Sequence, residues 1–198
     1  MLSNAGNTEH KIILSSNGIS TDKYFVPPFT LSKGELVVIY LYNGAHFRDT
    51  EEHLVNIFTG KLPDEKVKIH QPLSFVSHFK EPAIRRIFYP VTVGEYLKKH
   101  AAANGYFATE IYKLPFIKKH TKVNTLTGNP RKLLSLYATL SKTNTIIFDL
   151  VGQDPVGADE TYDIVKEVVR RGGAAILLDG FDEKKHDCSQ FITLEWRS

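Results

Sequence analysis

One cysteine, one methionine and one tryptophan occur among 198 residues. A lone thiol, Cys188, excludes an internal disulfide and cannot build a multi-cysteine zinc site, so a reducing compartment is expected. Long apolar runs are missing too. None approaches the roughly 18–20 residues that cross a bilayer, and the opening MLSNAGNTEHK has no apolar stretch of signal-peptide kind. A soluble, cytoplasmic protein is expected from these shortages. Acidic and basic residues nearly balance, 22 against 25, so the formal charge of +3 selects no partner. The eight histidines show no metal-ligand spacing with carboxylates or cysteine, and His186-Asp187-Cys188 reads as a surface turn. Internal repeats and low-complexity linkers are absent. A hydrophobic content of 42% over this length supports one domain with a real core.

The richest segment runs from Thr145 to Glu183. Thr145–Asp149 and Ala174–Asp179 are short apolar runs that each end in a carboxylate, and Ile164, Val165, Val168 and Val169 recur between them at helical spacing. This is a strand–helix–strand unit whose strands are apolar throughout, as parallel strands buried on both faces must be. Asp149 falls at the carboxyl end of its strand, where open α/β sheets position ligand chemistry.

Elsewhere the pattern predicts strands at Lys11–Leu14, Phe25–Thr30, Glu35–Leu41, Leu73–Ser77 and Phe191–Trp196, with Pro27 and Pro28 assigning the second to an edge. Residues 1–9 are small and polar and are expected to be loose. Asn43–Glu52 reads as a polar loop, followed by a short helix in HLVNIFTG with Gly60 at C′. Thr92–Ala103 carries a capping box, Thr92 with Glu95. Further helices are predicted over Ala108–Lys119, interrupted by Pro115, and over Arg131–Lys142. The expected architecture is a mixed α/β layer fold.

Several segments, in order, resemble motifs of ATP-binding-cassette (ABC) nucleotide-binding domains, and together they cover nearly the whole chain from about Lys11. TLSKGELVVIYLYNGA resembles the strand entering the phosphate loop, and LVNIFTG the helix after it. VTVGEYLKKHA is similar to the opening of the helical subdomain, and LTGNPRKLLSLYATL to the signature loop and its helix. IIFD resembles the Walker B strand, and GQDPVGADETYDIVKE the D-loop. The resemblance implies a P-loop NTPase-like α/β fold with an N-terminal β portion. It also implies one domain over 1–198 with a helical insert at about 80–125, ATP and Mg²⁺ as ligands, and a transmembrane permease or a second ABC-type subunit as partner.

The chemistry of that family is poorly represented. A phosphate loop needs glycine backbone N–H groups, a lysine and a hydroxyl that holds Mg²⁺. Here Asn43, Gly44 and Ala45 match, but His46 stands for a glycine, Phe47 for the lysine, and Arg48 and Asp49 for the hydroxyl residues. About four extra residues separate this loop from the LVNIFTG match, which predicts a loop and helix start out of register. Asp149 is kept, yet Leu150 occupies the place of the glutamate that activates water. His78 replaces the glutamine that reaches Mg²⁺, and Phe181 the histidine that contacts the γ-phosphate. Thr127 and Gly128 fit the signature loop, whereas Asn129 and Pro130 do not, and Pro130 fits the first turn of a helix beginning near Arg131. Asp154-Pro155 follows Asp149 two residues sooner than in the family, and Asn17 lies near where an aromatic would stack on adenine.

These departures remove phosphate, metal, water and base contacts while apolar positions remain suited to packing. The expectation is a degenerate ABC-type domain with no catalytic residue, no resident metal and no required cofactor, acting as a structural or regulatory partner. The alternative is a divergent but active ABC ATPase. Between Lys80 and Lys122 nine Lys/Arg face three Glu, a cationic insert suited to an acidic protein surface or anionic headgroups at the membrane periphery. Interleaved Phe88, Tyr89, Tyr96, Phe107, Tyr112 and Phe116 read as core aromatics, and nucleic-acid binding is not expected.

Overall fold

The computed structural model describes residues 11–81 and 83–197, so the expectation for residues 1–9 lies outside it. From the N-terminus, β1 (Ile12–Ser16), β2 (Ile19–Ser20), β3 (Tyr24–Val26), β4 (Phe29–Ser32) and β5 (Leu36–Tyr40) lead into α1 (Phe47–Phe58). Then come β6 (Val67–Ile69), β7 (Ser74–Phe75), α2 (Ala83–Phe88), α3 (Val93–His100) and two 3-10 segments, Tyr106–Lys113 and Val123–Thr125. The chain continues through α4 (Gly128–Leu140), β8 (Thr145–Phe148), α5 (Pro155–Arg170), β9 (Ala174–Asp179), β10 (Gln190–Thr193) and β11 (Glu195–Trp196).

Five strands form a parallel sheet in the order β10-β5-β9-β8-β7. Side chains alternate across it, as a pleated strand requires. Leu36, Val38, Ile146, Phe148, Ala175 and Leu177 enter one core, with α3, α4 and α5. Val37, Ile39, Ile147, Ile176 and Leu178 enter the other, with α1 and the antiparallel strands. Because both faces are covered, β8 and β9 are buried at every position, which explains their unbroken apolar sequence. Two antiparallel three-stranded sheets, β4-β1-β6 and β11-β3-β2, complete the N-terminal part.

Several boundaries differ from the sequence expectation. Helix α1 begins at Phe47, so the stretch Asn43–Glu52 is a loop only as far as His46. The apolar stripe of α1 lies in its second half. Leu54, Val55, Ile57 and Phe58 form that stripe, and Gly60 ends it at φ 76° as expected for C′. Tyr106–Lys113 is 3-10 rather than α-helical, and α3 ends at His100. Helix α4 begins at Gly128, so Pro130 is its third residue, where its missing N–H still falls among the unpaired first-turn donors. The predicted strand Phe191–Trp196 divides into β10 and β11, which join different sheets. Phe88, Tyr89 and Phe116 are exposed rather than core, whereas Tyr96 is buried.

The capping box of α3 is present in both directions: Glu95 N–H donates to Thr92 Oγ1 at 3.2 Å, and Thr92 N–H to Glu95 Oε2 at 2.8 Å. We expect Thr92→Ala to lower unfolding free energy by about 1 kcal/mol, read from urea denaturation midpoints at constant slope.

Candidate functional site

The carboxyl ends of the parallel strands meet the loop after β5, the segment after β7, the turn after β8 and the turn after β9. Asp149, the residue following β8, is fully buried there. Its oxygens are claimed from several directions. The Val151 N–H donates to Oδ1 at 2.8 Å, and His78 Nε2 lies 3.1 Å from both oxygens. Lys132 Nζ lies 2.9 Å from Oδ2, an ion pair rather than a well-angled hydrogen bond, and that side chain is only 3% exposed. Burial opposes the charge on Asp149, but the bond from His78 and the ammonium of Lys132 outweigh it and hold the carboxyl below its usual range.

Glu51, on the second turn of α1, completes the cluster. Its carboxyl is pushed up to about 7, first by burial and then by the charge of Asp149, while His78 and Lys132 oppose the rise. Its Oε1 is buried and finds no hydrogen-bond partner among the described residues. Sequence reading missed both Glu51 and Lys132. A signal for Lys132 existed, since it precedes Ser135 and Leu136 by three and four residues and so shares their buried stripe.

The other expected site residues fall into separate groups. Asn43, Gly44, Ala45, His46 and Arg48 are exposed, and Phe47 is half-buried. His46 occupies the N-cap of α1 without a side-chain cap, its ring centroid 5.6 Å from that of Trp196. The Phe47 N–H is already bonded to the Gly44 carbonyl, and its ring packs beside Gly180 at the end of β9. A cavity of about 500 Å³ opens next to it, bordered by Arg48, Glu51, Lys61, His78 and Lys80. Phe181 is exposed, its N–H on Asp179 Oδ1. Asn17 is exposed in the turn after β1, its N–H on the Lys66 carbonyl.

Thr127, Gly128 and Asp154 lie on the far side of Asp149. Thr127 is the N-cap of α4 but gives no side-chain cap. Gly128 presses so closely on the turn after β8 that an added Cβ would lie 1.9 Å from the Gly152 carbonyl oxygen. Asp154 caps α5 by accepting from Gly157 N–H at 2.9 Å, and Asn129 Nδ2 donates to its other oxygen at 2.9 Å. The segment expected as a signature loop is thus fastened to the turn after β8 of the same chain.

Solved structures that resemble this chain share its layered architecture. A nucleotide-free ATP-binding cassette from an ABC transporter aligns at TM-score 0.65 and 16% identity, over 93% of this chain and 88% of the other. CbiO1 from Clostridium perfringens, part of the ABC transporter complex CbiONQ, aligns at TM-score 0.58 and 12% identity over 93% and 85%. The fold is that of an ATP-binding cassette. The archaeal ribosome recycling factor aABCE1 aligns at TM-score 0.59 and 18% identity, over 90% of this chain and 36% of the other. No protein-family model matches the chain, and no curated protein does. At such identities the cassette fold is shared while the chemistry must be argued from the site.

The oxygens of Asp149 are committed to His78, Lys132 and the Val151 N–H, and among the described residues no group of three His, Cys, Asp or Glu is arranged to hold a metal ion. Leu150, partly buried against the core, cannot accept a proton from water.

The raised Glu51 carboxyl has a pH signature. Folded protein binds more protons than unfolded protein between the ordinary carboxylate range and pH 7, so stability falls as pH rises through that window. Glu51→Gln should match the wild type near pH 5 and exceed it at pH 8 by on the order of 1 kcal/mol, a figure already reduced for solvent screening. Urea melts at the two pH values measure the difference.

Proposed function

We propose that this chain is an ABC-type domain that has kept the cassette as a folded body and does not hydrolyse ATP. The observation that carries the reading is the state of Asp149, the one retained catalytic-site carboxylate, whose charge is matched inside the chain by Lys132. Phe47 and Leu150 support it independently. Phosphoryl transfer depends almost wholly on positioning and charge, and each of these replacements removes a contact worth several kcal/mol in the transition state.

On this reading the chain is a structural or regulatory subunit, single-domain, with the helical insert at about 80–125 as its docking part. Its partner is a transmembrane permease subunit or a second ABC-type subunit at the cytoplasmic side of a membrane. Among the described residues no helix is long and apolar enough to cross a membrane. Arg85, Arg86, Lys98 and Lys99 are exposed on α2 and α3, in the part of the chain where positive charge is concentrated.

Isothermal titration with Mg·ATP should give no saturable heat, and steady-state turnover should stay at background. Turnover abolished by Asp149→Ala would establish the active-ATPase alternative instead. Restoring the lysine alone, Phe47→Lys, should not create activity, because Leu150 and the Lys132 contact remain. A second expectation concerns docking. Reversing Arg85, Arg86, Lys98 and Lys99 to Glu should slow association with a co-expressed permease subunit, most strongly at low salt, with the folded state little changed. Equal association rates at low and high salt in both proteins would remove the insert from the interface.

A further inference from the structure

Lys132 is the side chain that the cassette fold leaves unexplained. It projects from the second turn of α4, a segment otherwise packed through Leu133, Leu134 and Leu136, and is buried to its tip. Taking an ammonium out of water costs several kcal/mol unless an opposite charge meets it. The opposite charge is Asp149, on the sheet. Donors of Nζ not directed at Asp149 find no acceptor among the described residues. Beside them lies a cavity of about 130 Å³ bordered by His78, Arg131, Lys132, Val151 and Gly152.

We infer that Lys132 is a built-in cation for Asp149: it supplies within the folded chain the positive charge that a divalent ion would otherwise bring, closes the site to such ions, and fastens α4 to the sheet without a ligand. A divalent ion approaching Oδ2 meets a resident positive charge at contact distance, and displacing Nζ would leave the ammonium buried and unmatched. Shortening the side chain removes both obstacles. It leaves Asp149 with a neighbouring carboxyl, Glu51, and His78, and extends the existing cavity towards them.

The inference rests on the reading of a site that has lost its ATP chemistry. Its test uses no nucleotide, so turnover bears on that reading and cation binding on this one. Wild type, Asp149→Asn, Lys132→Ala and Lys132→Ala/Asp149→Asn are titrated with Mn²⁺, read by loss of the free-ion paramagnetic resonance signal and by Tm. Wild type and Asp149→Asn should respond alike. Lys132→Ala should melt roughly 10 °C below wild type, and millimolar Mn²⁺ should recover part of that loss only while Asp149 is present. A Mn²⁺ response in wild type that Asp149→Asn removes overturns the inference, as does a folded Lys132→Ala protein that ignores Mn²⁺. If Lys132→Ala does not fold, Lys132→Met is compared with Lys132→Met/Asp149→Asn. Recovery of Tm in the pair with no buried charge sustains the built-in counter-ion, and its absence overturns it.

Discussion

The contact between Lys132 and Asp149 ties α4 to the end of β8, beside the hydrogen bonds between Asn129 and Asp154. Asp149 ends a central strand of the parallel sheet, and Lys132 stands on a helix belonging to the core on the other side of that strand's end. Around the pair gather His78 from the segment after β7, Glu51 from α1 and the Val151 N–H from the turn after β8. A buried carboxylate cannot stay charged without such company. The positions of α1, α4 and two strand-end loops therefore depend on satisfying one side chain.

The rest of the sheet edge has gone the opposite way. Phe47, Leu150 and Phe181 lie near the carboxyl ends of the parallel strands, and none of them can donate a hydrogen bond from its side chain. Apolar packing under the edge is intact, with β8 and β9 fully buried and two cores on either face of the sheet. That burial is the main term holding the fold together. Between Lys80 and Lys122 the surface is rich in Lys and Arg and exposes Phe88, Tyr89, Tyr106 and Phe116. Aromatic and cationic side chains left in water together are a surface suited to contact.

Much of this was legible in the chain itself. Unbroken apolar runs at Thr145–Phe148 and Ala174–Asp179 marked strands covered on both faces, and the Thr92–Glu95 pair marked a helix start that the hydrogen bonds reproduce. The start of α1 was not legible, because Arg48, Asp49, Glu51 and Glu52 make the first turns look like a loop. Those residues are polar because most of that end of the helix faces solvent, while the apolar stripe begins only at Leu54. The helix read over Ala108–Lys119 is a 3-10 segment at Tyr106–Lys113 for a related reason: periodicity over one or two turns does not separate the two geometries.

Sequence by itself determined the layered α/β architecture and the strand that leads into Asp149, since these depend on residue type and local period. Tertiary structure alone decided what became of Asp149. Lys132 is 17 positions away in sequence, His78 is 71, and Glu51 lies further still, so no local pattern brings them together. Their meeting follows from how α1, α4 and the strand-end loops pack on the sheet, and it is this packing that makes a buried carboxylate one half of an internal ion pair.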